Sequence, residues 1–113
     1  MSPGQRDDYV LRQVKAIAAI LARIIGLRLD GEPEQARAGL EEAYTMLFGT
    51  QAALIRRVDS ATAVKLIGSS EKTLSFASLI EEEAEQEQDE ARSALLRARA
   101  AELRLRVEQK EPR

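Results

Sequence analysis

The fold of this chain is decided by residues 9–49, which read YVLRQVKAIAAILARIIGLRLDGEPEQARAGLEEAYTMLFG. Apolar side chains recur there at steps of three and four, in a main row and a neighbouring row. The main row is Val10, Val14, Ile17, Leu21 and Ile24, and the neighbouring row is Leu11, Ala18 and Ile25. So wide an apolar stripe predicts a helix that packs against more than one element. The opposite side, with Arg12, Lys15, Ala19 and Arg23, is interpreted as a solvated face.

Turn signals divide this stretch into two helices. We expect the first helix to be capped by Asp7 or Asp8 and to end near Leu29, because Asp30-Gly31 is a stop signal. Pro33 suits the first turn of a second helix that reaches Phe48 and is closed by Gly49. The inward side of that helix carries Ala36, Leu40, Ala43 and Leu47. A short connection between two helices predicts an antiparallel hairpin.

The second half of the chain is less regular. We predict two short helices, capped by Thr50 and Ser60, that run through Val58 and Ile67. Apolar spacing resumes at Glu71 and stops at an acidic run from Glu81 to Glu90. A turn near Gln86 to Asp89, with Asp89 as the cap, would give a second hairpin. One continuous helix over 71–108, about 57 Å long, is the alternative, since no Gly or Pro marks the turn.

The predicted architecture is all-α, in a single domain over residues 7–109. It consists of a first hairpin (7–49), a middle of short helices and a loop (50–70) and a second hairpin (71–109), between loose termini at 1–6 and 110–113. Ala, Glu, Leu and Arg make up more than half of the 113 residues, a mixture that favours helix over strand.

Composition also excludes several kinds of chemistry. The chain has no Cys and no His, so it offers no thiolate nucleophile, imidazole base, catalytic triad or ordinary zinc site. A net charge of −2 argues against a dedicated nucleic-acid binder. The longest apolar stretch, residues 16–29, is interrupted by Arg23 and Arg28, so we expect a soluble, cytoplasmic protein without a membrane partner.

A repeat motif follows the first turn. Gly31, Ala36, Leu40 and Ala43 have the spacing of the turn and second helix of a tetratricopeptide repeat (TPR), where Gly permits the turn and small residues allow close helix packing. A shift of 55 residues gives a degenerate copy at Ala91, Leu95 and Ala98, with Gln86 in place of the Gly. The chain thus resembles the TPR superfamily. Its opening residues, from Asp8-Tyr9 to Gly31, look more closely like an uncharacterised bacterial family of short proteins with two TPR-like hairpins.

The resemblance implies which residues line the concave, ligand-facing side. In the first copy these are Ala18, Leu21, Ile25, Arg28 and Leu29, and in the second they are Thr73, Phe76, Ile80, Glu83 and Ala84. TPRs that clamp a carboxylate have Lys or Asn where this chain has Leu21 and Ile25, so an acidic peptide tail is not the expected ligand. We favour internal burial of Leu21 and Ile25, whereas the polar neighbours of Phe76 indicate a half-exposed site. Candidate partner-binding residues are therefore Ala18, Leu21, Ile25, Arg28, Leu29, Phe76 and Ile80.

Two charged segments suggest alternatives to a binding module. The acidic run 81–90 loosely resembles half of the magnesium motif of all-α nucleotide pyrophosphohydrolases, but its second half is missing. The arginines from Arg92 to Arg106 have no aromatic neighbours for stacking bases, so we expect them to pair with the acidic run within or between subunits. Tyr9 and Tyr44 are interpreted as core-edge residues with hydroxyls in water.

The sequence therefore favours a non-enzymatic interaction or self-association module. We predict a homodimer with no cofactor and no metal, and an unidentified protein partner. A divalent-metal hydrolase that uses the acidic run is the alternative.

Overall fold

The structure, a computed structural model, describes the backbone of residues 3–110 and the side chains of residues 8–109. The helices are α1 (Pro3–Leu29), α2 (Pro33–Phe48), α3 (Ala52–Arg57), α4 (Ser60–Ile67), α5 (Ser70–Gln86) and α6 (Glu90–Lys110). A 3-10 turn over Gly49–Gln51 joins α2 to α3, and residues 3–110 contain no strand. The all-α prediction is confirmed. None of the helices in this range has the length and apolar content needed to cross a bilayer.

Helices α1 and α2 form the predicted hairpin around Gly31. This glycine has a φ of 78°, and its N–H donates to the carbonyl of Arg28 (3.2 Å), while the N–H of Glu32 donates to that of Leu27 (2.9 Å). This pair of bonds is the Schellman ending of a helix, which favours Gly at the left-handed position. The two helices also approach closely at Gly39, where an added Cβ would lie 3.0 Å from the Cγ1 atom of Ile24. The stop signal at Asp30-Gly31 is therefore confirmed.

The turn between α5 and α6 settles the choice between a hairpin and one long helix. Helix α5 ends at Gln86, Glu87 is extended, and the Oδ1 atom of Asp89 accepts from the N–H groups of Ala91 (2.9 Å) and Arg92 (3.3 Å). Asp89 therefore caps α6 as predicted. The hydroxyl of Ser93 donates to the carbonyl of Ala84 (2.8 Å) at the end of α5, which also accepts from the Glu87 N–H (3.3 Å). Side chains thus satisfy both helix ends, so the chain reverses here without a glycine.

Helix α5 lies at the centre of the fold. It packs against α1, α2, α4 and α6, whereas α1 packs only against α2 and α5 among the described helices. The core is accordingly built around the inward faces of α2 and α5. Its buried members are Ile17, Ile24, Ala36, Leu40, Ala43, Tyr44, Leu47, Ala52, Ile55, Ala63, Phe76, Ala77, Leu79, Ile80, Ala100 and Leu103.

Several predicted helix ends are wrong. Helix α1 begins at Pro3 and not after a cap at Asp7 or Asp8, because Pro is well suited to a first helical turn. Thr50 caps nothing, since it lies inside the 3-10 turn that continues from α2. Helix α4 ends at Ile67 as predicted, but it begins at Ser60 and its cap is Asp59, whose carboxylate accepts from the Thr62 N–H at 3.2 Å. Of the termini predicted to be loose, 3–6 and 110 are helical, and 1–2 and 111–113 lie outside the described residues.

Candidate functional site

The predicted partner-binding positions on α1 are accessible. Ala18 and Leu29 are exposed, and Leu29 keeps 73% of its surface in contact with solvent. Leu21, Ile25 and Arg28 are half-buried, so the expectation that Leu21 and Ile25 are core residues holds only in part. Among the helices that the structure describes, only α2 and α5 pack against α1, and they leave the flank that carries Ala18 and Leu29 exposed.

The exposure pattern shows a longer feature on the same helix. Six residues at alternating steps of four and three, which we call the α1 strip, lie on one face of α1. They are Leu11, Lys15, Ala18, Ala22, Ile25 and Leu29. All are exposed except Ile25, which is half-buried. Single exposed leucines are common on protein surfaces, but a continuous strip with Leu at both ends is typical of a contact surface.

A groove of about 490 Å³ runs beside the α1 strip, between α1 and the α5–α6 hairpin. Leu21 and Ile25 provide its apolar side, and Arg28 lies at one end. The opposite wall is formed by Ser78, Glu81, Glu82 and Glu85 of α5 and by Arg97 of α6. The groove therefore combines an apolar side with a charged wall.

The charge at the bottom of this wall is fully paired. Glu82 is 4% exposed, and its carboxylate receives two hydrogen bonds from the guanidinium of Arg28, at 2.9 and 3.1 Å. The side-chain amide of Gln86 donates to the same carboxylate at 3.0 Å. Hydrogen bonding to Glu82 raises the pKa of Arg28, although desolvation opposes this. A bidentate pair of this kind fixes α5 against α1 and leaves no free charge for a ligand.

The outer wall is paired as well. Glu81 receives two hydrogen bonds from Arg104 (2.8 and 3.0 Å), and Glu85 receives one from Arg97 (2.8 Å). The hydrogen bond from Arg97 lowers the pKa of the Glu85 carboxyl group. The predicted pairing of the acidic run with the arginines is thus found inside one chain. These contacts do not need a second subunit, so they no longer favour a dimer.

The two candidate partner-binding residues on α5, Phe76 and Ile80, are not accessible. Phe76 is fully buried and Ile80 is 3% exposed. The ring of Phe76 packs edge-to-face against Tyr44 and Phe48, with centroids 6.0 and 5.1 Å away. The expected half-exposed setting of Phe76 is therefore wrong. Its polar neighbours misled the prediction because two of them, Thr73 and Ser75, are themselves buried, and the Thr73 hydroxyl donates to the Ser69 carbonyl at 2.8 Å.

A second cavity, of about 430 Å³, lies between α2, α3, α5 and α6, and its polar groups serve the fold. The guanidinium of Arg99 donates to the carbonyls of Ile55, Arg56 and Val58 at 2.6 to 3.0 Å, so it caps the end of α3. Desolvation lowers the pKa of Arg99. The fold uses only the Nη1 and Nη2 atoms of this guanidinium, and its Nε atom is buried without a hydrogen-bond partner in the described part of the chain.

Tyr44 also differs from its prediction. It is buried, and its hydroxyl donates to Glu83 at 2.6 Å instead of meeting water, while the guanidinium of Arg56 stacks 3.9 Å from its ring centre. Burial, followed by the charge of Glu83, raises the pKa of this phenol far above its usual value, so the phenol remains protonated. Tyr9, in contrast, is exposed.

The acidic run does not form a metal site among the described residues. No group of three or more carboxylates converges there, because neighbouring members of the run face different helices and different arginines. The sequence alone could not show that these carboxylates pair with different arginines, since each ion pair joins residues 12 to 54 positions apart.

The α1 strip is not evident from the sequence, although its signal is present there. Lys15 interrupts the apolar spacing and Ala22 is a small residue, so the strip does not stand out from the wide apolar stripe that it partly overlaps. Comparisons with known protein families, with curated proteins and with solved structures found no match.

Proposed function

We propose that this protein is a non-enzymatic interaction module that binds a protein, including another copy of itself, through the α1 strip and the adjoining groove. The observation that carries the proposal is the uncovered face of α1, where Leu11, Leu29 and half-buried Ile25 share one flank. Apolar groups at this spacing gain free energy when a second surface removes them from water.

The charges around the groove support an apolar partner over an anionic one. The arginines at the groove pair with Glu81, Glu82 or Glu85, so a phosphate or an acidic tail would have to displace an existing ion pair. An amphipathic helix needs no such exchange, because its apolar face can lie on the α1 strip. The packing of α5 against both α1 and α2 supports the TPR-like resemblance, which remains part of this proposal. The cytoplasm remains the proposed compartment.

The test compares two leucines with nearly equal exposure on different helices. Leu29 in the α1 strip is 73% exposed and Leu95 on α6 is 71% exposed, so Leu29→Glu and Leu95→Glu place the same charge in equally accessible positions. Affinity capture from a lysate of the source organism, followed by sedimentation with the purified partner, should show binding that is lost with Leu29→Glu and kept with Leu95→Glu. Equal binding by both variants, or no saturable association with any protein, would contradict the proposal.

No observation favours the metal-hydrolase alternative. Because Glu81, Glu82 and Glu85 are held by different arginines, magnesium or manganese should leave the melting temperature unchanged. A rise in melting temperature that saturates with metal concentration and disappears in Glu85→Gln would support the alternative instead.

A further inference from the structure

The α1 strip has the spacing of one half of a helix pair. Alternating steps of four and three residues are the spacing with which one helix presents a seam to another. From Leu11 to Leu29 the strip extends over 18 residue steps, about 27 Å at 1.5 Å per residue. None of the described helices covers it, since α1 packs only against α2 and α5 within residues 3–110. The strip therefore lacks its second helix.

The order of side-chain sizes along the strip is the same from both ends. Leu11 and Leu29 lie nine residues on either side of position 20, Lys15 and Ile25 lie five residues away, and Ala18 and Ala22 lie two residues away. A second copy that pairs antiparallel, with the two-fold axis at position 20, places Leu11 opposite Leu29 and Ala18 opposite Ala22. The small central residues allow the two helices to approach closely, while the leucines close the two ends.

The charges at the ends of the strip favour the same orientation. Lys15 in the strip and Arg12 beside it give its beginning a net positive charge, with Asp8 one turn earlier, and Asp30 and Glu32 follow its end. All five side chains are exposed, and none has an ion-pair partner in the described part of the chain. Antiparallel pairing places Lys15 opposite Ile25 and brings the net basic end of one helix to the acidic end of the other, whereas parallel pairing places Lys15 opposite the same lysine of the second copy.

We infer that the partner bound by the α1 strip is a second copy of this chain, paired antiparallel through α1 with Ala18 of one copy opposite Ala22 of the other. This inference rests on the proposed function and names its partner. The contact is isologous, so it closes at two copies and does not propagate into a filament.

Exposed alanines allow the dimer to be tested without disturbing the core. Ala22→Arg places a charge at the centre of the contact, and Ala94→Arg is the control, because Ala94 is an exposed alanine on α6. Sedimentation equilibrium should give a dimer for the wild type and for Ala94→Arg. For Ala22→Arg the dissociation constant should rise at least about tenfold, with an unchanged helical spectrum. A dimer that survives Ala22→Arg would overturn the inference.

Cysteine cross-linking tests the orientation, since the chain has no Cys of its own. Ala18→Cys and Ala22→Cys proteins are mixed and oxidised with copper phenanthroline. The mixed disulfide, which joins position 18 of one copy to position 22 of the other, should form faster than either symmetric one. Faster symmetric disulfides would indicate a parallel pair and overturn the inference.

The oligomeric state separates this inference from the proposed function on which it rests. A wild type that is monomeric at high micromolar concentration and low salt would overturn the inference. In that case, capture of another protein that depends on Leu29 would still support the proposed function, and the absence of such capture would defeat both.

Discussion

Helices α1 and α5 carry equivalent positions of the two predicted repeats, but these positions differ in their burial. On α1 they are exposed or half-buried, as for Leu29 and Ile25, whereas on α5 Phe76 and Ile80 are in the core. The difference follows from the number of neighbours, since four of the described helices pack against α5 and two pack against α1. A position in a repeat therefore predicts which way a side chain points, but not whether another element covers it.

The largest expected effect is a difference in stability between a variant on α5 and a variant on α1. Phe76→Ala removes a fully buried ring that packs against Tyr44 and Phe48, so it should lower the free energy of unfolding by about 3–5 kcal/mol. Leu29→Ala should change it by less than about 0.5 kcal/mol when the protein is dilute. Urea unfolding followed by circular dichroism measures both values. Equal losses in the two variants would break the distinction between α1 and α5.

The ion pair between these helices should have the next largest effect. Arg28→Ala leaves the Glu82 carboxylate buried without its cation, which we expect to cost about 2 kcal/mol, because the arginine itself is partly exposed. The double variant Arg28→Met/Glu82→Leu should recover most of this loss, since no unpaired charge remains. Chemical denaturation of the three proteins tests the pair, and an Arg28→Ala protein as stable as the wild type would show that Glu82 finds another partner.

The turn between α5 and α6 provides a smaller effect. Asp89→Ala removes the acceptor of two N–H groups and should lower the free energy of unfolding by about 1 kcal/mol, measured by urea unfolding. Asp89→Asn keeps an oxygen acceptor at the cap and is the matched control, with a smaller expected loss. If Asp89→Ala instead stabilised the protein, a continuous helix through this segment would be the better description.

The smallest expected effect is a pH dependence at the outer wall of the groove. Arg97 lowers the pKa of Glu85, so the folded state favours the ionised carboxylate. The resulting stability is fully present above the ordinary pKa of Glu and is lost as the pH falls through the lowered value. The difference in unfolding free energy between the wild type and Arg97→Gln should thus be present at neutral pH and disappear in acid. A difference that does not change with pH would indicate that Arg97 contributes only through packing.

The sequence predicted the fold best where glycines end the helices. Gly31 and Gly49 both have positive φ values, and the sequence alone predicts a helix end at each. The reversal at Asp89 remained open because capping side chains, and not a glycine, produce it. The role of Arg99 could not be predicted, since its acceptors on Ile55, Arg56 and Val58 are 41 to 44 residues away. The solvent exposure of α1 could not be predicted from the sequence either, because it depends on which of the described helices pack against α1.

Alkylation of single cysteines tests most directly whether α1 carries the contact surface. Ala22→Cys lies in the α1 strip and Ala94→Cys lies on α6, and both alanines are exposed in the single chain. As protein concentration rises from low to high micromolar, the alkylation rate of Ala22→Cys should fall and then level off once most chains are paired. The alkylation rate of Ala94→Cys should stay constant. If both rates stay equal, and addition of a captured partner slows neither, the α1 strip is not a binding surface.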